Sequence, residues 1–297
     1  GDGDNYLIDS DDQDPDGTRL DIGALYYDQI ANPIIFGCMD PGASNYNSEA
    51  IVEDGSCVNN GPVFHVSTTG NDFFGIGTEQ SPFLTIQAGI DATSEGDSVS
   101  VSAGLYYENL AITKNIFLIG EDKETTIIDG NQSGSVITTN EDGLIQNFTI
   151  QNGYARQSDG HGGGGIYIYG ESSALIENNI IKDNRSIPDE SIAYDGGGVR
   201  IECTGNPIIN NNIIMDNEAY SGGGGIFVSV CGPSTQIINN LIINNSAVPN
   251  NNGNPPGNNG GGVRLQNYAI GGGEPYYSGP YFINNTLWLN DNNGEPS

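Results

Sequence analysis

Apolar and polar residues alternate in short runs along most of this chain, and from Leu144 onward the runs repeat. The phrase LIQNFTIQNG at Leu144 returns as LIENNIIKDN at Leu175, IINNNIIMDN at Ile208, IINNLIINNS at Ile237 and FINNTLWLND at Phe282, 29 to 45 residues apart. A second phrase separates the copies: GGGGIYIYG ending at Gly170, GGGVRIEC at Gly196, GGGGIFVSV at Gly222 and GGGVRLQN at Gly260. Recurrence on this scale marks a solenoid. The alternation has the period of a strand, Ile, Val, Tyr and Phe dominate it, and no run is long enough for a helix per repeat. Each strand ends in Asn or Gly. Asn tolerates left-handed backbone, and its carboxamide can bond to the Asn one coil above. The pattern predicts an all-β solenoid, a parallel β-helix, whose hand the pattern alone does not set.

Stacking the Gly runs turns Ile166, Val199, Ile226 and Val263 inward, with Ile168, Ile201, Val228 and Leu265 behind them. Two outward ladders follow: Tyr167, Arg200, Phe227 and Arg264, and beside it Tyr169, Glu202, Ser229 and Gln266. Alternating aromatic and Arg residues permit cation–π stacking worth about 0.5–2 kcal/mol per contact. Such a flat face suits sugar rings; it is also what an ordinary packed strand surface looks like. Inserts fall between each Asn phrase and the next Gly run, and again over 268–279, so they gather on one edge, where solenoids often bind.

Upstream, Leu84, Ile86, Ala88 and Ile90 after Pro82 predict a short helix ending by Gly96, followed by strands at Ser98–Val101, Leu110–Ile112, 116–119 and 126–128. A helix over the first coil would cover strand edges that an uncapped solenoid leaves bare. Three parts result: an acidic segment over 1–36, a small module over 37–60, and the β-helix over 61–297, with cap and first coils to 130 and the Gly/Asn coils from 131.

Composition narrows the partners. Eight Lys and Arg against 38 Asp and Glu give a formal charge of −30, which makes nucleic acid and anionic membrane surfaces poor partners, and neither is expected. No apolar run approaches the roughly 18 residues of a spanning helix, so membrane insertion is not expected. An acidic, Gly- and Asn-rich, Lys-poor chain points to secretion into a salty, calcium-containing medium. The first residue is Gly, and the chain reads as processed or as a part of something longer.

Four cysteines in that setting invite pairing. Cys38 and Cys57 bracket a compact loop, and Cys203 and Cys231 sit near one position of successive coils, one residue out of step, where rung spacing suits a second bridge. The Cys38–Cys57 loop carries Asp40, Asn45, Asn47, Glu53 and Asp54, hard oxygen donors that can gather Ca2+; solvated acids on a stapled spacer fit equally. Asp12, Asp14, Asp16 and Gly17 match the start of an EF-hand calcium loop, yet its twelfth position is Gly23 instead of Glu. An acidic turn is the other reading. No organic cofactor is implied.

Three stretches resemble known secreted proteins. DPDGTRLDIGALYYDQ, within 1–36, resembles the closing segment of bacterial parallel β-helices. GCMDPGASNYNSEAIVEDGSC, over 37–57, resembles the GCxDP…DGSC calcium-type modules of large bacterial surface proteins. The stretch from PVFHVSTTGNDFFGIG to DKETTIIDG, over 62–130, resembles the N-terminal part of pectate-lyase-like β-helices. This last resemblance implies a right-handed helix with a short N-terminal capping helix, in an extracellular setting.

Catalysis finds little footing in the pattern. Lyases on this fold pair stacked acids and calcium with a base, and glycosidases need two or three neighbouring carboxylates. Glu202 shares its face with Arg200, but its aligned neighbours are Tyr169 and Ser229. Asp159 and His161 resemble the Gly-His-Gly turn of pectin-degrading hydrolases, without the acid pairs that go with it. His161 reads as a turn residue and His65 as structural, and no catalytic residue is assigned. The expectation is therefore a non-enzymatic, extracellular structural or adhesive β-helix. A closing segment ahead of an unclosed last coil extends this to head-to-tail self-association into a filament; neighbouring domains of a longer chain are the other partner expected. The alternative is a carbohydrate-binding or polysaccharide-cleaving β-helix that meets glycans through Tyr167, Tyr169, Arg200, Glu202, Phe227 and Arg264.

Overall fold

The computed structural model describes residues 35–39, 47–52, 61–155, 162–186, 195–220, 222–248, 260–266, 280–292 and 295–296. Two compact units divide at Asn60/Gly61. In the first, Phe36 bridges Val52 in parallel, the Gly37 N–H donates to the Val52 carbonyl at 3.1 Å, and Asn47 N–H closes on Cys38 O at 2.8 Å. Cys38 is buried and disulfide-bonded; Cys57, its expected partner, lies outside the described residues.

The second unit is a coil of parallel strands. The early turns visit three sheets, and from Tyr154 onward each turn visits four in order, as the turn from Ile166 shows: Ile166–Gly170 in sheet A, Leu175–Glu177 in sheet B, Ile180–Lys182 in sheet C and Arg185–Ser186 in a short sheet D, before Val199–Cys203 returns to sheet A. Sheet B has eight strands from Val63–Val66 to Tyr281–Ile283, and sheet C seven from Gly104–Tyr107 to Thr286–Trp288. Period-two alternation supplies the core. The inward column of sheet B is Val99, Leu118, Ile145, Ile176, Ile209 and Ile237, and that of sheet C is Ile128, Ile150, Ile181, Ile214 and Ile242, all buried. Full burial of each such side chain contributes about 1.5–3 kcal/mol. The columns expected in sheet A are in register, from Ile166 to Val263 and from Ile168 to Leu265. In the last turn the same columns surface, Phe282 being 39%, Leu287 47% and Leu265 51% exposed.

Two ladders of Asn, buried in all but the half-buried Asn285, make the corners. Between sheets B and C, the side-chain oxygens of Asn179, Asn212, Asn240 and Asn285 accept the backbone N–H of the turn before, at 2.9–3.0 Å. Between sheets C and D, Asn184, Asn217, Asn245 and Asn290 do the same at 2.9–3.1 Å. The residue before each corner Asn is left-handed, with φ between 52 and 57° at Asn178, Asp183, Asn211, Asp216, Asn239, Asn244, Asn284 and Leu289. Asn and Asp tolerate that conformation best, which is why the pair recurs. The Gly runs have a different cause. A Cβ on Gly165 or Gly198 would stand 2.5–2.6 Å from a carbonyl oxygen of the next turn, so only glycine lets the coils close there.

The helix spans Ile86–Ala92 and buries Ile86 and Ile90 against the first strands. Its packing is tight, since a Cβ on Gly89 would lie 2.7 Å from Val66. Glu108 takes the Ile86 and Gln87 N–H groups at 2.8 and 2.9 Å, while the Lys114 ammonium donates to the carbonyls of Ile90, Asp91 and Thr93 at 3.2, 3.0 and 2.6 Å. An anion at the first turn and a cation at the last complement the helix dipole.

Two expectations change. Ser229 does not face Glu202: a bulge after Ile201 skips it and pairs Glu202 with Val230. That slip also makes Cys203 and Cys231 the next residues along adjacent rungs, absorbing their one-residue offset. The bridge is nevertheless not formed, and both are free thiols. Burial raises both above the usual thiol range, Cys203 to about 12, so both are protonated at neutral pH.

Candidate functional site

The outward face of sheet A is built by its alternation. Ile166 and Ile168 face the core, so Tyr167 and Tyr169 face out, and register sets Arg200 against Tyr167, Phe227 against Arg200, and Arg264 against Phe227. The guanidinium of Arg200 lies 5.8 Å from the Tyr167 ring centre and 5.4 Å from that of Phe227, and Arg264 sits 5.6 Å from Phe227 on the other side. The predicted stack of cations and rings exists.

Its charges are matched locally. Glu202 Oε2 accepts from Arg200 Nη2 at 2.7 Å, from Arg200 Nε at 3.1 Å and from the Tyr167 hydroxyl at 3.2 Å. Arg264 Nη1 donates to Asp195 Oδ1 at 3.1 Å. Burial, and then the Glu202 carboxylate, push the Tyr167 hydroxyl up to about 12, so it stays a protonated donor. Phe227 is only 2% exposed, which closes the centre of the face. The open end is elsewhere: Tyr167 and Tyr169 are half-buried, their rings stacked at 5.1 Å and 17°, and the Glu202 side chain beside them is 39% exposed. This end offers two aromatic faces and one oriented carboxylate.

The remaining candidates separate from this face. Asp12, Asp14, Asp16, Asp40, Asn45, Glu53, Asp54 and His161 lie outside the described residues. Asn47 serves a turn, accepting the Glu49 N–H at 3.0 Å. His65 sits in the first strand of sheet B, its backbone bonded to Gly77 and Phe83. Among the described residues, no three His, Cys, Asp or Glu side chains are grouped to hold a metal ion, and no helix is long and apolar enough to cross a membrane.

One surface was missed by sequence reasoning. A groove of about 460 Å3 follows the corner between sheets C and D. Its walls pair Asn152 with Tyr154, Asp183 with Arg185, Asp216 with Glu218, and Asn244 with Ser246, one pair per turn, on either side of the buried Asn ladder. The signal was the two-residue offset around each terminal Asn of the repeat phrase.

With four sheets of parallel strands coiled around one core, the family comparison is decisive: the model described as the right handed beta helix region matches residues 103–287. The chain belongs to the right-handed β-helix family. Among curated proteins no sequence matches it. Solved structures similar to this β-helix include the pectin methylesterase PemA from Erwinia chrysanthemi, at 16% identity over 78% of this chain and 82% of that one, with a TM-score of 0.40. Escherichia coli ybhc aligns at 15% identity over 95% and 98%, with a TM-score of 0.39. Pectin methylesterase from carrot aligns at 14% identity over 78% and 85%, with a TM-score of 0.33. At such identities the likeness concerns the fold alone. The expectation of a non-enzymatic protein is set aside: the solved structures that share its fold include pectin methylesterases. No comparison points to a structural or adhesive filament.

Proposed function

We propose that this β-helix is an extracellular carbohydrate-acting protein that engages a polysaccharide along the outward face of sheet A. One observation carries the reading: the parallel Tyr167 and Tyr169 rings, half-open to solvent, stand beside a Glu202 carboxylate fixed by Arg200 and Tyr167. Aromatic faces pack against sugar rings, and a carboxylate fixed by a guanidinium accepts sugar hydroxyls without losing its charge. Arg200 holds Glu202 from two residues away, so the carboxylate is oriented before any ligand arrives.

The test is a polysaccharide panel on the intact chain, read for binding and, on the same substrates, for released reducing ends and methanol. Binding to at least one polysaccharide is expected, weakened about tenfold by Tyr169→Ala, equivalent to about 1.4 kcal/mol, and further by Glu202→Gln. A panel without a single binder, or binding indifferent to both substitutions, overturns the reading.

A further inference from the structure

We infer that the corner groove between sheets C and D is a separate binding site for an uncharged, hydroxyl-rich oligosaccharide. This goes beyond the sheet A face and does not rest on it. The site is a trench with a built floor. Asn184, Asn217 and Asn245 point inward and are fully buried, so at every turn the residues before and after them flank the groove in two parallel rows. Rungs in a parallel stack repeat every ~4.8 Å, so the four turns from Tyr154 to Ser246 give a trench about 14 Å long. That suits a short linear chain of sugars, with roughly one ring per rung.

The lining chemistry selects the ligand class. Tyr154 ends the trench as a half-buried aromatic wall. Beyond it the wall offers carboxylates at Asp183, Asp216 and Glu218, a guanidinium at Arg185 and a carboxamide at Asn244. Arg185 Nη2 holds Glu218 Oε2 at 3.1 Å, and Asn244 Nδ2 bonds Asp216 Oδ1. These pairs preset alternating donors and acceptors along the trench, the arrangement that hydroxyl groups satisfy from both sides. A uronic acid polymer would meet three carboxylates in the lining, against one guanidinium already shared with Glu218 and the Lys182 ammonium 3.6 Å from Asp183, in a chain of net charge −30. Repulsion excludes it.

The experiment titrates the intact chain with neutral cello-, xylo- and manno-oligosaccharides of increasing length, and with oligogalacturonate, by calorimetry. One neutral series is expected to bind, tightening with length until the ligand fills the trench, while oligogalacturonate gives no heat attributable to the groove. Tyr154→Ala weakens that binding at least tenfold, and Arg185→Ser about fivefold. Tyr169→Ala, on the other face, leaves it unchanged. Ser246 already occupies the Arg185 position two turns on, so Arg185→Ser folds and decides the matter if Tyr154→Ala does not. No neutral series bound, or one insensitive to Arg185→Ser, or one lost with Tyr169→Ala, overturns the assignment.

Discussion

Replacing Asn212 should damage this protein more than its size implies. Its side chain is 1% exposed and takes part in five hydrogen bonds. Oδ1 accepts the Asn179 backbone N–H at 2.9 Å and its Nδ2 at 3.2 Å; Nδ2 donates to Ile176 O and Asn210 O at 2.9 Å each and to Asn240 Oδ1 at 3.1 Å. Asn212→Leu keeps the branched shape in a bulkier form and strands the Asn179 N–H in the core. One stranded buried donor costs about 1–3 kcal/mol, and the lost bonds to carbonyls add about 1 kcal/mol each, so the expected loss is about 3–5 kcal/mol. The neighbour Asn211, exposed and left-handed at φ 55°, is the control; Asn211→Ala should cost only about 1–2 kcal/mol, chiefly from its backbone. Asn212→Asp keeps the acceptor, loses all three donated bonds, and turns a carboxylate toward three oxygens. Burial and those oxygens raise its folded pKa above the unfolded value near 3.9. A raised folded pKa means the variant is closest to native stability below about pH 4 and loses ground as pH rises through that folded value. Urea unfolding followed by circular dichroism at several pH values measures each difference. The reasoning fails if Asn212→Leu costs no more than Asn211→Ala, or if the Asn212→Asp deficit is flat with pH.

Three further outcomes follow from the geometry. Lys114→Met removes the ammonium from three carbonyls at the helix end; a loss of about 1–3 kcal/mol is expected, with faster amide exchange confined to Ile86–Ala92 and its neighbours. Cys203 and Cys231, free and raised by burial, should react slowly with an aromatic disulfide reagent at pH 8, faster as pH climbs, and at once after unfolding; prompt native reaction at pH 8 contradicts the burial. Trp288, the single Trp of the chain, is 62% exposed, so its emission should be that of a hydrated indole and quench freely with acrylamide; a blue, protected signal would show that the last turn is covered.

How far the sequence reveals this molecule depends on which way a residue points. Inward positions are fixed by coil geometry, so Ile176, Ile209 and Ile237 had to be apolar, and the corner before Asn179 or Asn212 had to be left-handed. Such constraints recur with every turn and stand out as a phrase. The slip at Ser229 left a trace too, the offset between Cys203 and Cys231, but sequence alone does not tell a bulge from a misalignment, since both shift one residue. The terminal Asn184, Asn217 and Asn245 were legible as part of the phrase; that they form a second corner, and so raise a groove, depends on hydrogen bonds between turns that no linear pattern displays. Outward positions carry no such constraint. Tyr167, Arg200, Phe227 and Arg264 were foreseen as a ladder because register is inherited from the core, yet the pairing of Arg264 with Asp195 comes from a segment that varies from turn to turn. A solenoid thus writes its scaffold in the repeats and its chemistry in the departures from them. On that logic the most informative residues are those that break a column. Tyr154 is one: along its ladder the next turns carry Arg185, Glu218 and Ser246, four different chemistries at a position the fold leaves free, which is what a surface shaped by its ligand, and not by its core, is expected to show.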